Sequence, residues 1–520
     1  MIDEQQLQKG RLAFIYFSIA FLFFVISIRI IFVAAAGDKI VVNRLYDPGK
    51  IIKRSDIIDR NGIIVATDLK TKSLYISNNL VRDPKLVASK LSEALPGLDY
   101  KDILQKISKK ENRGWILIKR NITPHQQDII HNLKIAGLLF EDDLVRVYPQ
   151  KSILSHIVGY TDLDRNGLAG VEMSYNDILK KGKENLQLAM DVRVQDVLED
   201  ELNQGIIKYG AIGAAGIIMD VTNGEIMAIS SLPNFDPNKQ IDANSNERFN
   251  RATYGVYELG SILKIFTNTI AFEYNLVKID DIINVKDPIK HGRFTINDDH
   301  HEKDEMTVAE IFARSSNIGT VQIAKKIGEE TQREFLKKIN LLDRLDTDFP
   351  ALGRPIYPKK WREINLFTIS YGHGIAVTPL HVATATSAIV NGGTFYQPSF
   401  IKLNEKPDGK KIIKESTSKL MRLMLRKVAV EGTGKYANVE GYEVGGKTGT
   451  AERAEFGTYN KNSTMASFVA AFPITEPKYL LLIAIDRPNH IFNTGGMVAA
   501  PIAGKIIKNV APILDISPKD

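Results

Sequence analysis

The 520-residue chain has no cysteine. Disulfide scaffolds, thiolate zinc sites and cysteine nucleophiles are therefore excluded, and although the absence fits any compartment, an oxidising one gives it a reason. A basic stripe is missing as well. Lys+Arg 68 against Asp+Glu 61 leave a net charge of +7 spread along the whole length, whereas nucleic-acid binders gather their basic residues on one face. No nucleic-acid partner is expected; an anionic membrane or cell-envelope polymer suits the mild excess. There is no fixed-period repeat, no low-complexity tract and only one long hydrophobic run. With 44% hydrophobic and 25% charged residues, a disordered, collagenous or wholly membrane-embedded chain is ruled out. The length amounts to roughly three to four domains of ~150 residues, enough to build a core without a staple or a metal.

The one long run lies near the N-terminus. Residues 12–28 (LAFIYFSIAFLFFVISI) carry no charge, and after Arg29 the apolar character resumes to Ala36. A span needs about 20 apolar residues, so residues 12–36 are read as a single transmembrane helix with Arg29 snorkelling towards one end. A secretory signal core runs only ~7–15 residues, which argues against cleavage after Ala34-Ala35-Ala36. A buried core helix is the weaker alternative, because a helix apolar on every side suits lipid better than a half-exposed surface. Lys9 and Arg11 before the run balance Lys39 and Arg44 after it, so the basic count alone leaves orientation open. The short tail, residues 1–11, is expected in the cytoplasm and the remainder outside.

Beyond the span, residues 41–182 read as mixed short strands and helices. Asp59-Arg60-Asn61-Gly62 predicts a hairpin turn between two apolar strands, and Glu111–Gly114 and Asp164–Gly167 are further turn signals. Residues 186–202 show helical spacing after a short strand, and the Gly/Ala-rich stretch 210–216 marks a close approach or a boundary. In residues 215–230, Asn223-Gly224 predicts a second hairpin. Helical patterns follow at 261–277 and 307–327, then strands at 466–472 and 479–485, then an apolar helix near 497–514. Strands at both ends with helices between predict an α+β layer fold, the last strands pairing beside the first hairpin.

Three short motifs carry chemistry. In Ser261-Ile-Leu-Lys264, residues three apart share a helix face. The serine would lie at the helix start, where free N–H groups favour developing negative charge. Apolar neighbours would desolvate Lys264 and lower its pKa towards a usable base. Ser315-Ser316-Asn317 follows a helical stretch; a turn there would aim a proton-shuttling hydroxyl and a carbonyl-holding amide at one cleft. Gly445-Gly446-Lys447-Thr448-Gly449-Thr450 reads as an edge strand with Lys447 and Gly449 on one side and Thr448 and Thr450 on the other. There Lys447 would supply a fixed positive charge, the threonines hydroxyls for a carboxylate, and Gly449 room for a ligand. Each motif alone has a bland reading as a surface pair, a helix cap or a glycine-rich hairpin. Ser416-Thr-Ser-Lys419 matches the first pattern, and Ser77-Asn-Asn79 and Ser174-Tyr-Asn176 match the second. Only the set beginning at Ser261 runs through a Ser-x-Asn to Lys447.

That ordered set resembles the active-site motifs of class A β-lactamases and penicillin-binding proteins. Nearly the whole chain resembles the class B penicillin-binding proteins. Arg54–Gly62 (RSDIIDRNG) is similar to a pedestal element of that family, with Ser55 where a glycine is usual. His156–Tyr160 (HIVGY) and Gly167–Glu172 (GLAGVE) resemble its later pedestal motifs. Tyr371-Gly-His-Gly374, Thr378-Pro379 and Lys447–Glu452 (KTGTAE) match stretches around the third motif, while Leu259 stands where a proline is common. Asn317 and the Lys-Thr-Gly-Thr form are more similar to the septal, cell-division FtsI type than to the elongation type.

The resemblance implies a mixed α/β pedestal, similar to a dimerisation domain, over residues 41–205 and a penicillin-binding transpeptidase domain over 206–515, an antiparallel sheet flanked by helices. It implies a serine D-Ala-D-Ala transpeptidase without a cofactor. Ser261 would be the nucleophile, Lys264 its base, Ser315 a proton relay and Asn317 a peptide holder. Lys447, Thr448, Gly449 and Thr450 would form the carboxylate side, and the N–H groups of Ser261 and Thr450 the oxyanion hole. The implied partners are peptidoglycan stem peptides, β-lactams as covalent inhibitors, a lipid II polymerase of the SEDS family and other divisome membrane proteins. Elongation-type transpeptidase, β-lactam hydrolase and catalytically silent wall-binding scaffold are the competing readings. Asp298-Asp-His-His-Glu302 with Asp304-Glu305 raises a metal site, but adjacent ligands rarely converge on one ion. No metal is expected.

Overall fold

The structure, a computed structural model, describes residues 14–31, 52–108, 114–239, 242, 245–292, 294–299, 303–455, 458–489 and 493–519, with the side chains of 453–462 excepted. Several expectations fall outside these residues: the tail 1–11, both ends of the apolar run, Lys39, Arg44, the first residues of the pedestal, most of the Glu111–Gly114 turn, and His300, His301 and Glu302.

Helix α1 (Phe14–Ile31) forms a unit by itself. Its 18 residues have a mean hydropathy of 2.4 and, at 1.5 Å per residue, extend about 27 Å. It is long and apolar enough to cross a membrane, and its side chains are exposed all round. That is the surface a lipid environment wants and water does not.

The second unit begins with the sheet β1 (Ile57–Ile58), β2 (Ile64–Ser77), β3 (Trp115–Ile122), β4 (Leu138–Val147) and β5 (Leu186–Gln187). The predicted turn at Asp59–Gly62 joins β1 to β2. Asp59 accepts the N–H of Asn61 and of Ile63, each at 2.8 Å, and Gly62 takes a φ of +88° that suits glycine. Strand β1 is only two residues long and lies between β2, antiparallel, and β5, parallel. The long β2 carries β4 along most of its length and β3 at its far end. Helices α2 (Pro84–Ala94), α3 (Tyr100–Ser108) and α4 (Pro124–Asn132) close over that end, around Leu74, Ile76, Leu91, Ile103 and Ile122. Asp83 caps α2 and Thr123 caps α4, each followed by a proline at the first helical position. Short helices α5 (Ser155–Val158), α6 (Gly170–Ser174) and α7 (Asn176–Lys180) complete this part.

The elements flagged as pedestal motifs meet in one buried ionic cluster. Arg54 Nε donates to Glu172 Oε2 at 2.7 Å and Arg146 Nε to Glu172 Oε1 at 2.7 Å. Asp68 takes Arg146 at 3.3 Å, Arg165 at 2.8 Å and the Arg54 N–H at 2.8 Å. Arg54 and Glu172 lie 118 positions apart in sequence, so this cluster pins the turn of the first motif to the helix of the last.

Helix α8 (Val192–Tyr209) starts at the Asp191 cap and stops at Gly210, in the left-handed region at φ +60°. It therefore begins later and ends later than the spacing at 186–202 suggested: 186–187 belong to β5, and Gly210 closes the helix. Then comes the central sheet. Strands β6 (Gly213–Asp220) and β7 (Ile226–Leu232) form the hairpin predicted from Asn223-Gly224. Three small ribbons follow: β8 (Ile282–Asn284) with β11 (Glu305–Thr307), β9 (Ile289–His291) with β10 (Phe294–Ile296), and β12 (Thr394–Phe395) with β13 (Lys410–Lys411). Strands β14 (Gly445–Glu455), β15 (Thr458–Phe472) and β16 (Tyr479–Asp486) finish the sheet in the order β14-β15-β16-β6-β7, antiparallel throughout. The last strands do pair beside the first hairpin, with Tyr479 opposite Asp220 and Asp486 opposite Gly213.

Both faces of this sheet are covered. Ala214, Ile218 and Ile483 pack with α8 and the terminal α16 (Ala499–Val510); Ile217, Met219 and Leu482 pack in the larger core on the other side. Burial on both faces explains why β6 and β16 read as continuous apolar runs and not as alternation. The larger core holds α9 (Lys264–Glu273), α10 (Val308–Arg314), α11 (Asn317–Ile327), α12 (Glu329–Lys338), α13 (Glu363–Ser370), α14 (Pro379–Val390) and α15 (Glu415–Glu431).

Replacing Glu172 by Ala takes a shared carboxylate from two buried guanidinium groups, leaving Arg146 with Asp68 and Arg54 with neutral acceptors. Losing one partner of a buried pair typically costs about 3–5 kcal/mol, so E172A should lower the urea unfolding midpoint clearly with little change in slope. A midpoint unchanged from the parent would deny the cluster its structural weight.

Candidate active site

Ser261 sits in a 3-10 turn, Gly260–Leu263, and α9 begins only at Lys264. The expected continuous helix from 261 is thus shorter and starts with a tighter turn. In a 3-10 turn, side chains at i and i+3 eclipse one another, so Ser261 and Lys264 still stand on one side. Ser261 lines an open cleft of about 730 Å³, together with Ser315, Asn317, Tyr371, His373, Thr448 and Thr450.

Lys264 lies beneath the cleft floor, 0% exposed. Its amine donates to Asn317 Oδ1 at 2.7 Å, to Ser315 Oγ at 3.2 Å and to the Ser315 carbonyl. Burial pushes its pKa down to about 7, against the pull of the Asp298 and Asp299 carboxylates. This is the desolvated amine that its apolar neighbours predicted.

The helical pattern over 307–327 is two helices, parted at the turn that Ser315-Ser316-Asn317 required. Helix α10 starts at a Thr307–Glu310 capping box and ends at Ser315, which adopts the left-handed region at φ +64°. A non-glycine residue there holds strain of order 1–3 kcal/mol, typical of functional turns. Ser316 begins the next helix as its cap, accepting the Gly319 N–H at 2.9 Å. The capping task therefore falls on Ser316, and Ser315 and Asn317 are turned towards the lysines.

Lys447, on the edge strand β14, is also 0% exposed. Its amine donates to Ser315 Oγ at 2.9 Å and to the Thr448 carbonyl at 3.2 Å, and lies 5.8 Å from the centre of the Phe312 ring. Burial first, and the Lys264 charge second, push its pKa well below the ordinary lysine value. The positive charge expected at Lys447 is thus held less firmly than on an exposed lysine, because the amine is enclosed beside a second amine.

Thr448 and Thr450 face the cleft, as strand alternation required. Thr448 Oγ1 shares a hydrogen bond of 2.7 Å with Thr433 Oγ1, and Thr450 Oγ1 accepts the Gly495 N–H at 3.0 Å. Gly449 departs from expectation. A Cβ there would meet the Leu259 carbonyl at 2.2 Å and Ser467 Oγ at 2.5 Å. The space left by the missing side chain is filled by the chain's own backbone, which lets the Ser261 turn lie against β14. On the same seam the Thr450 carbonyl abuts Gly260.

Two contributors escaped the sequence. Asp298, read as part of a solvated loop, accepts from Ser316 Oγ at 2.6 Å and from the N–H groups of Asn317 and Ile318. Its partners lie 18–20 positions away, beyond any local spacing rule. Glu258 accepts the Gly374 N–H at 2.7 Å and faces His373 Nδ1 at 3.3 Å, tying the Tyr371–Gly374 rim to the residues just before Ser261. The Tyr371–Gly374 end of that contact was visible as a motif; Glu258 and the pairing were not.

Comparison with known proteins agrees with this layout. The family of the penicillin binding protein transpeptidase domain matches residues 214–508, and that of the penicillin-binding protein dimerisation domain matches residues 52–205. The chain belongs to the penicillin-binding protein transpeptidase family. It is 35% identical, over 90% of its length and 82% of the relative's, to a probable peptidoglycan D,D-transpeptidase FtsI of Caulobacter vibrioides. It is 30% identical, over 98% and 87%, to stage V sporulation protein D of Bacillus subtilis. The crystal structure of penicillin binding protein 3 from Mycobacterium tuberculosis complexed with aztreonam has the same fold, with a TM-score of 0.71 at 22% identity, covering 90% of this chain and 97% of that one.

Within this penicillin-binding fold, Gly449→Ala tests the seam directly. The added methyl has no flexible neighbour to push aside at Leu259, and overpacking of this kind costs about 1–3 kcal/mol. A lowered melting temperature and acylation by penicillin slowed about tenfold or more are expected. A variant matching the parent in both would show that the turn and strand do not need this contact.

Proposed function

We propose that this protein is a septal peptidoglycan D,D-transpeptidase, held in the cytoplasmic membrane by α1 with its N-terminus inside and residues 206–515 outside, on a pedestal of residues 41–205. The observation that carries the catalytic reading is the convergence of two buried lysine amines on Ser315 Oγ at the floor of the cleft that Ser261 lines. It supplies a proton acceptor and a relay without a histidine.

In this reading the stem peptide's terminal carboxylate enters beside Lys447, Thr448 and Thr450, with Gly449 keeping that strand close to the nucleophile. Ser261 Oγ bonds to the penultimate D-Ala carbonyl carbon while Lys264 takes the hydroxyl proton. The oxyanion is met by the N–H groups of Ser261 and Thr450, each such donor being worth roughly 2.7–4 kcal/mol. The C–N bond then breaks, the proton held on Lys264 passes through Ser315 Oγ to the leaving D-Ala amine, and an acyl-enzyme remains with Lys264 neutral again. The amine of a second stem attacks it, forms the cross-link and returns the proton to Ser261. Asn317 holds the donor peptide. A β-lactam is attacked in the same way and stays bound. A lipid II polymerase of the SEDS type and other divisome membrane proteins are the partners this role requires.

The first test is incubation of the detergent-solubilised full chain with a penicillin and mapping of the adduct by peptide mass spectrometry. A stable acyl group on Ser261, absent from Ser261→Ala, is expected. An adduct that forms and vanishes within minutes would favour the hydrolase, and no adduct on folded protein the scaffold. The acylation rate should also rise with pH. Lys264 acts as its neutral form, whose share falls as pH drops through about 7. At pH 5.5 the rate should be about 30-fold below its alkaline plateau. A flat profile from pH 5.5 to 8.5 would remove Lys264 as the base.

A further inference from the structure

The turn that presents Ser315 and Asn317 has an anchor outside the three motifs. Asp298 follows β10 and is half-buried at the cleft wall. One carboxylate oxygen receives the Ser316 hydroxyl at 2.6 Å; the other receives the N–H groups of Asn317 and, at 3.0 Å, Ile318. The preceding residue joins in, since Asn317 Nδ2 donates to the Asn297 carbonyl at 3.0 Å. These are the orphan N–H groups of α11, and a carboxylate is the acceptor they bind best. Asn317 is thus gripped at its backbone and its amide nitrogen, leaving Oδ1 aimed at Lys264.

We infer that Asp298 is a positioning residue for the acyl-transfer site: it locks the Ser315–Asn317 turn against Lys264 and Lys447 and keeps a negative charge beside Lys264. The inference rests on the transpeptidase reading but concerns a residue that none of the motifs contains. The geometric argument is that Ser315 stays in the left-handed region only while its surroundings hold it there. The second helix is free to slide or fray unless its first turn is fixed, and Asp298 supplies three of the hydrogen bonds that fix it. The electrostatic argument is separate. Lys264 is faced by Lys447 from β14, by Ser315 and Asn317 from the α10–α11 turn, and by Asp298 and Asp299 from the loop after β10. Of these, the two aspartates bring the negative charge that favours its proton, so they hold its pKa above where burial would leave it.

Two substitutions in the full chain separate the two parts. Asp298→Ala removes charge and hydrogen bonds together. Asp298→Asn keeps the size and one acceptor oxygen for the two N–H groups but removes the charge. Acylation by a fluorescent penicillin is measured from pH 5.5 to 8.5, with melting temperature and with Ser261→Ala as control. For D298A, acylation about 100-fold slower across the range is expected, the scale of a misplaced catalytic group. D298N should lose less than tenfold at its plateau, with the acid limb moved to lower pH, because Lys264 gives up its proton more readily once the carboxylate is neutral. Should D298A fail to fold, D298N decides alone through its pH limb, which a purely structural cap would leave in place. Rates of both variants within threefold of the parent with an unmoved limb would overturn the inference. An unlabelled parent would instead overturn the transpeptidase reading itself.

Discussion

A single hydroxyl oxygen, Ser315 Oγ, accepts from two lysine amines that water does not reach. Two unit charges about 4 Å apart repel by ~4 kcal/mol even at an effective dielectric of 20, and burial penalises each further. Both amines are therefore held below the ordinary lysine value. This is useful chemistry: an amine already depleted of its proton can take one from a neighbouring serine. Lys264, supported by two aspartates, comes to rest at about 7; Lys447, with no such support, lies well below its ordinary value. An arriving carboxylate would reverse that balance by favouring a proton on Lys447. Substrate binding and proton distribution are thereby coupled through one oxygen.

The surrounding architecture serves that cluster. Lys264 comes from the start of a buried helix, Ser315 from a break between two helices, and Lys447 from a strand. Three elements of different kinds meet because glycines at 260 and 449 allow backbone to lie on backbone. The strand is at the sheet edge, with β15 on one side only, so its other side is available to an extended peptide. That edge is also where an unpaired ladder is a hazard; here the Ser261 turn covers part of it.

The broad layout was legible because it rests on local signals. The apolar run, the Asn223-Gly224 and Asp59–Gly62 turns and the terminal strands each declare themselves within a dozen residues. The ordered motifs pointed to residues that meet at one cleft, because the chemistry they suggest demands those side chains together. What stayed hidden depends on distance or backbone. Residues 307–327 show one helical pattern because both halves bury apolar residues at helical spacing, and a left-handed serine leaves no mark in it. Gly449 was assigned to a ligand because its missing side chain is visible in sequence, whereas the Leu259 carbonyl that fills the space is 190 positions away. Asp298 and the Arg54–Glu172 pair share that character: long-range contacts between residue types that are usually solvated.

The mounting of the catalytic domain follows from the same sheet. Strand β5 leads from the pedestal into Asp191 and α8, whose helix packs on the sheet at β6 and β7. The Asp191 N–H donates to the Met227 carbonyl at 2.9 Å, the Val192 N–H reaches Asp59 at 3.1 Å, and Arg60 donates to the Ala189 carbonyl at 3.0 Å. The connection is thus one backbone tie and two side-chain ties, unlike the loose linker on which most paired domains swing. The first of these ties lies on β7, and β14, the strand that carries Lys447, is the opposite edge of the sheet, four strand spacings or about 19 Å away. Attachment and chemistry therefore use different borders of one rigid sheet, and a peptide can be drawn along β14 without disturbing the joint. For a transpeptidase that must bring two tethered chains together, a stiff mount fixes where the cleft can reach.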